Sequence, residues 1–177
     1  MKNSALRKKV FIGFALLFLS LSAAAAQSVY SQALKEWNPS RTWVFFVGLL
    51  EWEDSERFVS FPQKNRRDAV LLDVLRGRGV PEKQIVYLKD REATAAKIQK
   101  SLEAFLQKPQ PGDWVFVYYS GHGYKNKKHE TFLAAYDAKD GNDWSVASLP
   151  AAIENFFRGS AAVIMLDNCY SGAMAEE

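Results

Sequence analysis

Cysteine and histidine are scarce in this sequence, which contains one cysteine, Cys169, and two histidines, His122 and His129. A single cysteine cannot form a disulfide within the chain, and one cysteine with two histidines does not make a convincing zinc site. The usual Gly-rich phosphate-binding loops and the Ser nucleophile elbow are also missing. Nucleotide and serine-hydrolase chemistry therefore have no support in the sequence, and no metal ligands are predicted.

A long hydrophobic run is absent as well. Residues 10–21 form an apolar stretch of about a dozen residues, whereas a membrane-spanning helix needs roughly 20. The stretch is followed by alanines at 23–26 and preceded by four basic residues, Lys2, Arg7, Lys8 and Lys9. This layout predicts a secretory signal peptide over residues 1–26, with an uncleaved membrane anchor as the alternative. We therefore expect an exported protein, in a bacterial periplasm or secreted, with no stable membrane span after cleavage.

An excess of basic charge is also lacking once the predicted signal peptide is removed. The remaining chain has 19 Lys and Arg against 20 Asp and Glu, a net charge of −1. Nucleic acid is therefore not an expected partner, and the basic residues at 125–128 are expected to form a solvated loop. Hydrophobic residues make up 48% of the sequence, which suits a globular protein. We predict a leader segment over residues 27–41 and one catalytic domain over residues 42–177.

Apolar runs alternate with helical patterns along this domain. Buried strands are predicted at 43–49, 85–88, 114–119 and 161–166, with a short extra strand at 132–136. Helices are predicted at 65–78, after the N-cap Thr94, and at 146–157. The first two carry apolar stripes, Val70, Leu71, Val74 and Leu75 in one and Ile98, Leu102, Phe105 and Leu106 in the other. This alternation predicts an α/β fold, with a mostly parallel sheet and helices on both faces.

Two of the predicted strands lead directly into reactive residues. His122 lies between two glycines in the motif YYSGHG, after the predicted strand at 114–119. Cys169 lies in the motif LDNCYSG, after the predicted strand at 161–166. Ligands bind beyond the carboxyl ends of parallel strands, so both side chains are expected at one edge of the sheet. A thiolate can attack a carbonyl carbon while histidine transfers the proton. We predict His122 and Cys169 as the catalytic pair, with the backbone N–H groups of Gly123 and Cys169 as the oxyanion hole.

Considered singly, each residue has a simpler interpretation. Cys169 could be a buried inert thiol or could pair with another chain, and a lone histidine is usually structural. The two motifs together, with 47 residues separating His122 from Cys169, resemble the caspase-like superfamily of cysteine peptidases, family C14. The D-x-C-x-S-G form is closer to metacaspases and their bacterial relatives than to animal caspases. The resemblance covers about residues 42–172 and implies a caspase-like three-layer sandwich. Because the family fold usually continues with two more strands, we expect the C-terminal strands to be missing here.

The resemblance also implies how substrates are selected. Metacaspase-like enzymes bind a basic side chain in an acidic pocket, and Asp68, Ser120 and Asp167 match the residues of that pocket. Carboxylates favour Arg or Lys through charge-assisted hydrogen bonds. The alternative is that Asp68 is a helix N-terminal acid and Asp167 a turn residue. The implied function is a cysteine endopeptidase that cleaves peptides or proteins after Arg or Lys.

No cofactor is expected, with one open question about calcium. Many metacaspase-like enzymes need calcium, and Asp137, Asp140 and Asp143 form an acidic loop in this sequence. We favour an ordinary solvated turn around Gly141, because the spacing is loose for a calcium loop. Two other functions remain open. One is a catalytically silent domain that binds a partner in the cell envelope, and the other is a peptide ligase or transamidase that uses the same pair of residues.

Overall fold

The computed structural model describes residues 9–12, 37–139, 143–169 and 172. The predicted cleavage position after Ala26 and the acidic-loop residue Asp140 lie outside the described residues. The main sheet has five parallel strands in the order β1-β8-β4-β2-β3. Its strands are β1 Lys9–Ile12, β2 Thr42–Gly48, β3 Ile85–Lys89, β4 Trp114–Ser120 and β8 Ala161–Asp167. The four strands that the apolar runs predicted are confirmed to within one residue at each end.

Helices cover both faces of this sheet, in agreement with the predicted α/β sandwich. They are α1 Arg67–Gly77, α2 Ala95–Leu106 and α3 Ser148–Phe156. Side chains alternate between the faces of a strand, and in β2 Phe45 and Val47 join the core formed with α2 and α3. Val44 and Phe46 point the other way and pack with Leu72 and Leu75 of α1. Among the residues that the structure describes, the fold therefore has three layers, and α1 is the helix on the face that the site will use.

The predicted apolar stripes are right for α2 and only partly right for α1. Ile98, Leu102, Phe105 and Leu106 of α2 are all buried, and the Thr94 side chain caps the helix by accepting a hydrogen bond from the Lys97 N–H. In α1, however, Val70 and Val74 are 56% and 51% exposed. The buried face of α1 instead follows Asp68, Leu72 and Leu75. The buried face differs from the predicted one because hydrogen bonds from Arg66 and Tyr87 hold the Asp68 carboxylate against the sheet.

A small antiparallel sheet lies beyond β4. It consists of β5 Gly123–Lys125, β6 Thr131–Leu133 and β7 Trp144–Ser145. Only β6 corresponds to a predicted strand, since β5 and β7 are too short to show an alternating pattern. This sheet starts at the residue after His122, and it therefore fixes the direction in which the chain leaves the end of β4.

The outermost strand of the main sheet comes from the N-terminal region. Lys9–Ile12 pairs in parallel with the first four residues of β8, from Lys9 opposite Ala161 to Ile12 opposite Ile164. These four residues belong to the predicted signal peptide, which stays a prediction. Within the described ranges, no helix has both the length and the hydrophobicity needed to cross a membrane.

Candidate active site

Three residues line up across the carboxyl-terminal edge of the main sheet. Gly48 ends β2 opposite Ser120 at the end of β4, and Ser120 lies opposite Asp167 at the end of β8. Each of them follows, by two residues, a side chain that packs on the α1 side of the sheet. These side chains are Phe46, Tyr118 and Met165. By the alternation of strand side chains, Ser120 and Asp167 therefore face the first turn of α1.

Asp68, in that first turn, is buried against the end of β2. Only 3% of its side chain is exposed, and its Oδ2 accepts hydrogen bonds from the Tyr87 hydroxyl at 2.5 Å and from Arg66 Nη1 at 3.3 Å. A side chain at position 48 would overlap this carboxylate, so the glycine there makes room for Asp68. Burial, and then the hydrogen bond to Asp68, raise the pKa of Tyr87 above its ordinary value. Asp68 is thus an internal acid whose Oδ2 already has two hydrogen-bond partners.

Asp167 has a different environment. It is exposed, and its Oδ2 accepts a hydrogen bond of 3.2 Å from the Tyr118 hydroxyl. Burial raises the pKa of Tyr118 to about 12, a hydrogen bond with Ser120 opposes this rise, and the charges of Asp167 and Asp68 add to it. The Tyr118 hydroxyl is therefore bonded to Asp167 and influenced by the charge of Asp68, two of the residues predicted to form the acidic pocket. The structure brings these residues together, and it leaves Asp167 as the accessible carboxylate.

His122 is held by the loop that connects β2 to α1. Its ring packs against the aromatic rings of Trp52, Phe58 and Phe61, with centroids 4.5, 5.6 and 4.6 Å away. Its Nε2 lies 2.9 Å from the carbonyl oxygen of Val59. A carbonyl can only accept a hydrogen bond, so Nε2 carries the proton and Nδ1 of the neutral ring keeps the lone pair. Three aromatic residues in a short polar loop were the signal that could have revealed this contact.

The loops that carry the histidine and the cysteine touch each other. A side chain at Gly123 would overlap the Asn168 amide and the Cys169 carbonyl. The Gly121 N–H also reaches the Asp167 carbonyl oxygen at 3.4 Å. Cys169 itself is an exposed, unpaired thiol. The two predicted catalytic residues therefore lie on adjoining loops at the same end of the sheet.

The backbone N–H of Gly123 is not used by the small sheet. Gly123 lies opposite Leu133, and the Ala134 N–H donates to the His122 carbonyl at 2.9 Å. This bond makes Gly123 and Leu133 a non-hydrogen-bonded pair of the antiparallel ladder, in which both N–H groups point away from the partner strand. Gly123 can therefore present a donor next to the cysteine loop, as an oxyanion hole requires.

The described acidic residues of this loop, Asp137 and Asp143, accept hydrogen bonds from backbone N–H groups. Asp137 accepts a hydrogen bond from the Ala95 N–H at the start of α2. Asp143 accepts hydrogen bonds from the N–H groups of Ala135 and Trp144 and from the Tyr124 hydroxyl. Among the residues that the structure describes, no cluster of three or more Asp, Glu, His or Cys could hold a metal ion. These contacts are those of a structural turn.

Asp143 gives a prediction about stability and pH. Burial is the largest influence on this carboxyl group and raises its pKa from 3.8 to about 6. The folded state then holds the proton more tightly than the unfolded chain, so Asp143 lowers the free energy of unfolding as the pH rises from about 4 to about 6. Between pH 4 and pH 6 the free energy of unfolding of the native protein should therefore fall by about 2 kcal/mol because of Asp143, and we expect Asp143→Asn to remove this fall. Denaturant unfolding at pH 4 to 7 would measure it, with the exposed Asp73→Asn as control. Parallel pH profiles for Asp143→Asn and the native protein would contradict the prediction.

Comparison with known families agrees with this geometry. The family model described as metacaspase, peptidase C14 domain, matches residues 80–177, which is more than half of the chain. This range includes both β4 and β8 with the loops that carry His122 and Cys169. Comparison with curated proteins gave no match. With its parallel α/β sheet and this match, the chain belongs to the metacaspase family of C14 cysteine peptidases.

Proposed function

We propose that this protein is a cysteine endopeptidase that cleaves proteins after Arg or Lys, with His122 and Cys169 as its catalytic pair. The observation that carries the proposal is the arrangement at one sheet edge. The histidine loop and the cysteine loop are in contact there, and Ser120 and Asp167, two residues of the proposed pocket, lie opposite each other at the ends of β4 and β8. An attacking group, a proton carrier and a cation-binding pocket are thus within reach of one peptide segment.

The contacts of His122 assign its two nitrogens separate tasks. The Val59 carbonyl holds the Nε2 proton, so Nδ1 accepts the proton of the Cys169 thiol. The thiolate then attacks the carbonyl carbon before the scissile bond, and the N–H groups of Gly123 and Cys169 stabilise the oxyanion. The protonated imidazole passes its proton to the leaving amine, and a thioester forms. Water attacks this thioester with the same histidine as base, which releases the acid product and regenerates the thiol.

The acidic pocket explains the preference for a basic residue. Asp167 and Ser120 lie opposite each other on neighbouring strands and face the α1 side of the sheet. Asp167 comes two residues before Cys169, and Ser120 comes two residues before His122. An extended substrate whose scissile carbonyl lies at Cys169 can therefore direct the preceding side chain towards Asp167. A guanidinium or ammonium group gains a charge-assisted hydrogen bond there, whereas an acidic side chain would be repelled.

Cleavage of a small fluorogenic panel tests this function. Peptides with Arg, Lys, Asp or Asn before the reporter would be compared, with and without calcium, using the native protein and Cys169→Ala. We expect turnover of the Arg and Lys peptides only, and its loss in the variant. Cleavage after Asp would contradict the pocket. A folded protein that cleaves none of the peptides would favour the silent, partner-binding domain. Product analysis with an added amine acceptor would separate hydrolysis from ligation.

We also propose that residues 1–26 direct export and are removed afterwards. The basic start, the short apolar stretch and the four alanines support this proposal. Cleavage after Ala26 would remove β1, because Lys9–Ile12 lies within the removed segment. Mass spectrometry of the protein isolated from a periplasmic fraction would test it, and an intact Met1 N-terminus there would contradict it.

A further inference from the structure

A basic residue of the chain itself already bonds to Asp68, one of the three residues of the proposed acidic pocket. Arg66 lies just before α1, and only 13% of its side chain is exposed. Its Nη1 donates to the Gly48 carbonyl at 3.1 Å and to Asp68 Oδ2 at 3.3 Å. Its Nη2 contacts both carboxylate oxygens of Asp90, at 2.8 and 2.6 Å. One guanidinium thus bridges the end of β2, the acid of the pocket and a second acid beyond β3.

Asp90 holds Arg66 in this place. It follows β3, and its Oδ1 also accepts a hydrogen bond from the Leu50 N–H at 2.9 Å, so the carboxylate is fixed by the backbone. Gln63 accepts two further hydrogen bonds from the same guanidinium. Burial alone would lower the pKa of Arg66, but the hydrogen bonds and charges of its acidic neighbours raise it above the ordinary value. The cation is therefore permanent and cannot leave by losing a proton.

We propose that Arg66 is a specificity-determining residue, a built-in cation that occupies Asp68 and leaves Asp167 and Ser120 to bind the basic side chain of the substrate. This inference rests on the proposed cleavage after Arg or Lys. Asp68 is nearly inaccessible and already bonded to Arg66 and Tyr87, whereas Asp167 is exposed with one hydroxyl partner. A substrate cation therefore meets one open carboxylate and, beyond it, the like charge of Arg66.

Like charges repel each other, so Arg66 is expected to weaken the binding of the Arg and Lys side chains that the proposed pocket selects. The neighbouring Arg67 provides a matched control, because it starts α1, carries the same charge and is exposed to solvent. We expect Arg66→Gln to lower the KM for Arg and Lys peptides about tenfold, with kcat changed less than about twofold. The uncharged Asn peptide should remain uncleaved by Arg66→Gln. Arg67→Gln should leave every value unchanged.

The measurement is steady-state kinetics of the native protein and both variants, with circular dichroism to confirm folding. An unchanged or raised KM for the basic peptides in folded Arg66→Gln would overturn the inference. If Arg66→Gln does not fold, Arg66→Lys replaces it, since a single ammonium cannot bridge Gly48, Asp68 and Asp90 together and therefore leaves the negative charge of Asp68 less fully neutralised. For that variant we expect a fall in KM of about threefold, and no fall would overturn the inference. A native protein that cleaves no basic peptide would instead refute the proposed function itself.

Discussion

Replacing Cys169 with alanine is expected to lower kcat/KM for Arg and Lys peptides by at least about 10³-fold. The proposed reaction passes through a thioester on the sulfur of Cys169, and alanine offers no nucleophile in its place. The side chain is exposed at the end of β8, so its loss should leave the fold and the free energy of unfolding nearly unchanged. Fluorogenic turnover and a denaturant unfolding curve of the same preparation would measure both. Retained turnover would show that Cys169 is not the nucleophile.

His122→Ala should cause a loss of the same order, and the double variant should be no worse than either single one. Residues that act as one unit in a reaction give non-additive losses, because either deletion already disables the unit. The matched control is His129, the other histidine, which lies in the turn between β5 and β6 with φ of +65°. Asparagine tolerates that backbone conformation, so His129→Asn should keep full activity. Additive losses in the double variant would mean that Cys169 and His122 act independently.

The rate of thiol alkylation gives an independent view of the same pair. The Cys169 thiol is expected to react with iodoacetamide much faster than the thiol of free cysteine, because His122 is proposed to accept its proton. His122→Ala should slow the reaction towards the rate of free cysteine, and His129→Asn should not. Since alkylation needs no peptide substrate, this measurement separates an inactive cysteine from an active one that was given the wrong peptide.

The sheet and the positions of the two proposed catalytic residues could be predicted because they depend on patterns within the sequence. Strand β2 is buried along nearly its whole length, and β4 and β8 are buried on one face and largely half-buried on the other, so all three appear as continuous apolar runs. Parallel strands present their carboxyl ends at one edge, so the residues after β4 and β8 had to lie near each other. His122, Cys169 and the residues of the pocket follow from that rule and from the resemblance in the two motifs.

What could not be predicted depends on contacts between distant parts of the chain. The partner of His122 is the backbone carbonyl of Val59. Every residue type has such a carbonyl, so the identity of residue 59 could not indicate this contact. Arg66 looked like any charged residue before a helix, because its partners Gly48 and Asp90 are 18 and 24 residues away. The buried face of α1 was misread for the same reason. A periodicity argument places an aspartate on the solvent side, whereas Tyr87 and Arg66 hold Asp68 inside.

The two carboxylates of the pocket should respond very differently to the same substitution. Asp167→Asn keeps the size of the side chain and an oxygen for the Tyr118 hydroxyl, but it removes the one exposed charge. We expect kcat/KM for Arg and Lys peptides to fall about 100-fold, since a charge-assisted hydrogen bond in a pocket contributes about 2 to 3 kcal/mol. The free energy of unfolding should change by less than about 0.5 kcal/mol, as is usual for exposed positions.

Asp68→Asn should show the reverse balance. Its carboxylate is buried with Arg66 and Tyr87, and removing one member of a buried charged group leaves the others incompletely paired. Because Arg66 keeps its contacts with Asp90, the expected loss of stability is about 2 kcal/mol, below that of a fully broken buried pair. The effect on kcat/KM should be smaller than that of Asp167→Asn, because the substrate does not reach Asp68 while Arg66 occupies it. Denaturant unfolding and peptide kinetics of both variants, with Asp73→Asn as the exposed control, would decide. A larger kinetic loss for Asp68→Asn than for Asp167→Asn would mean that the substrate displaces Arg66 and binds the buried carboxylate directly.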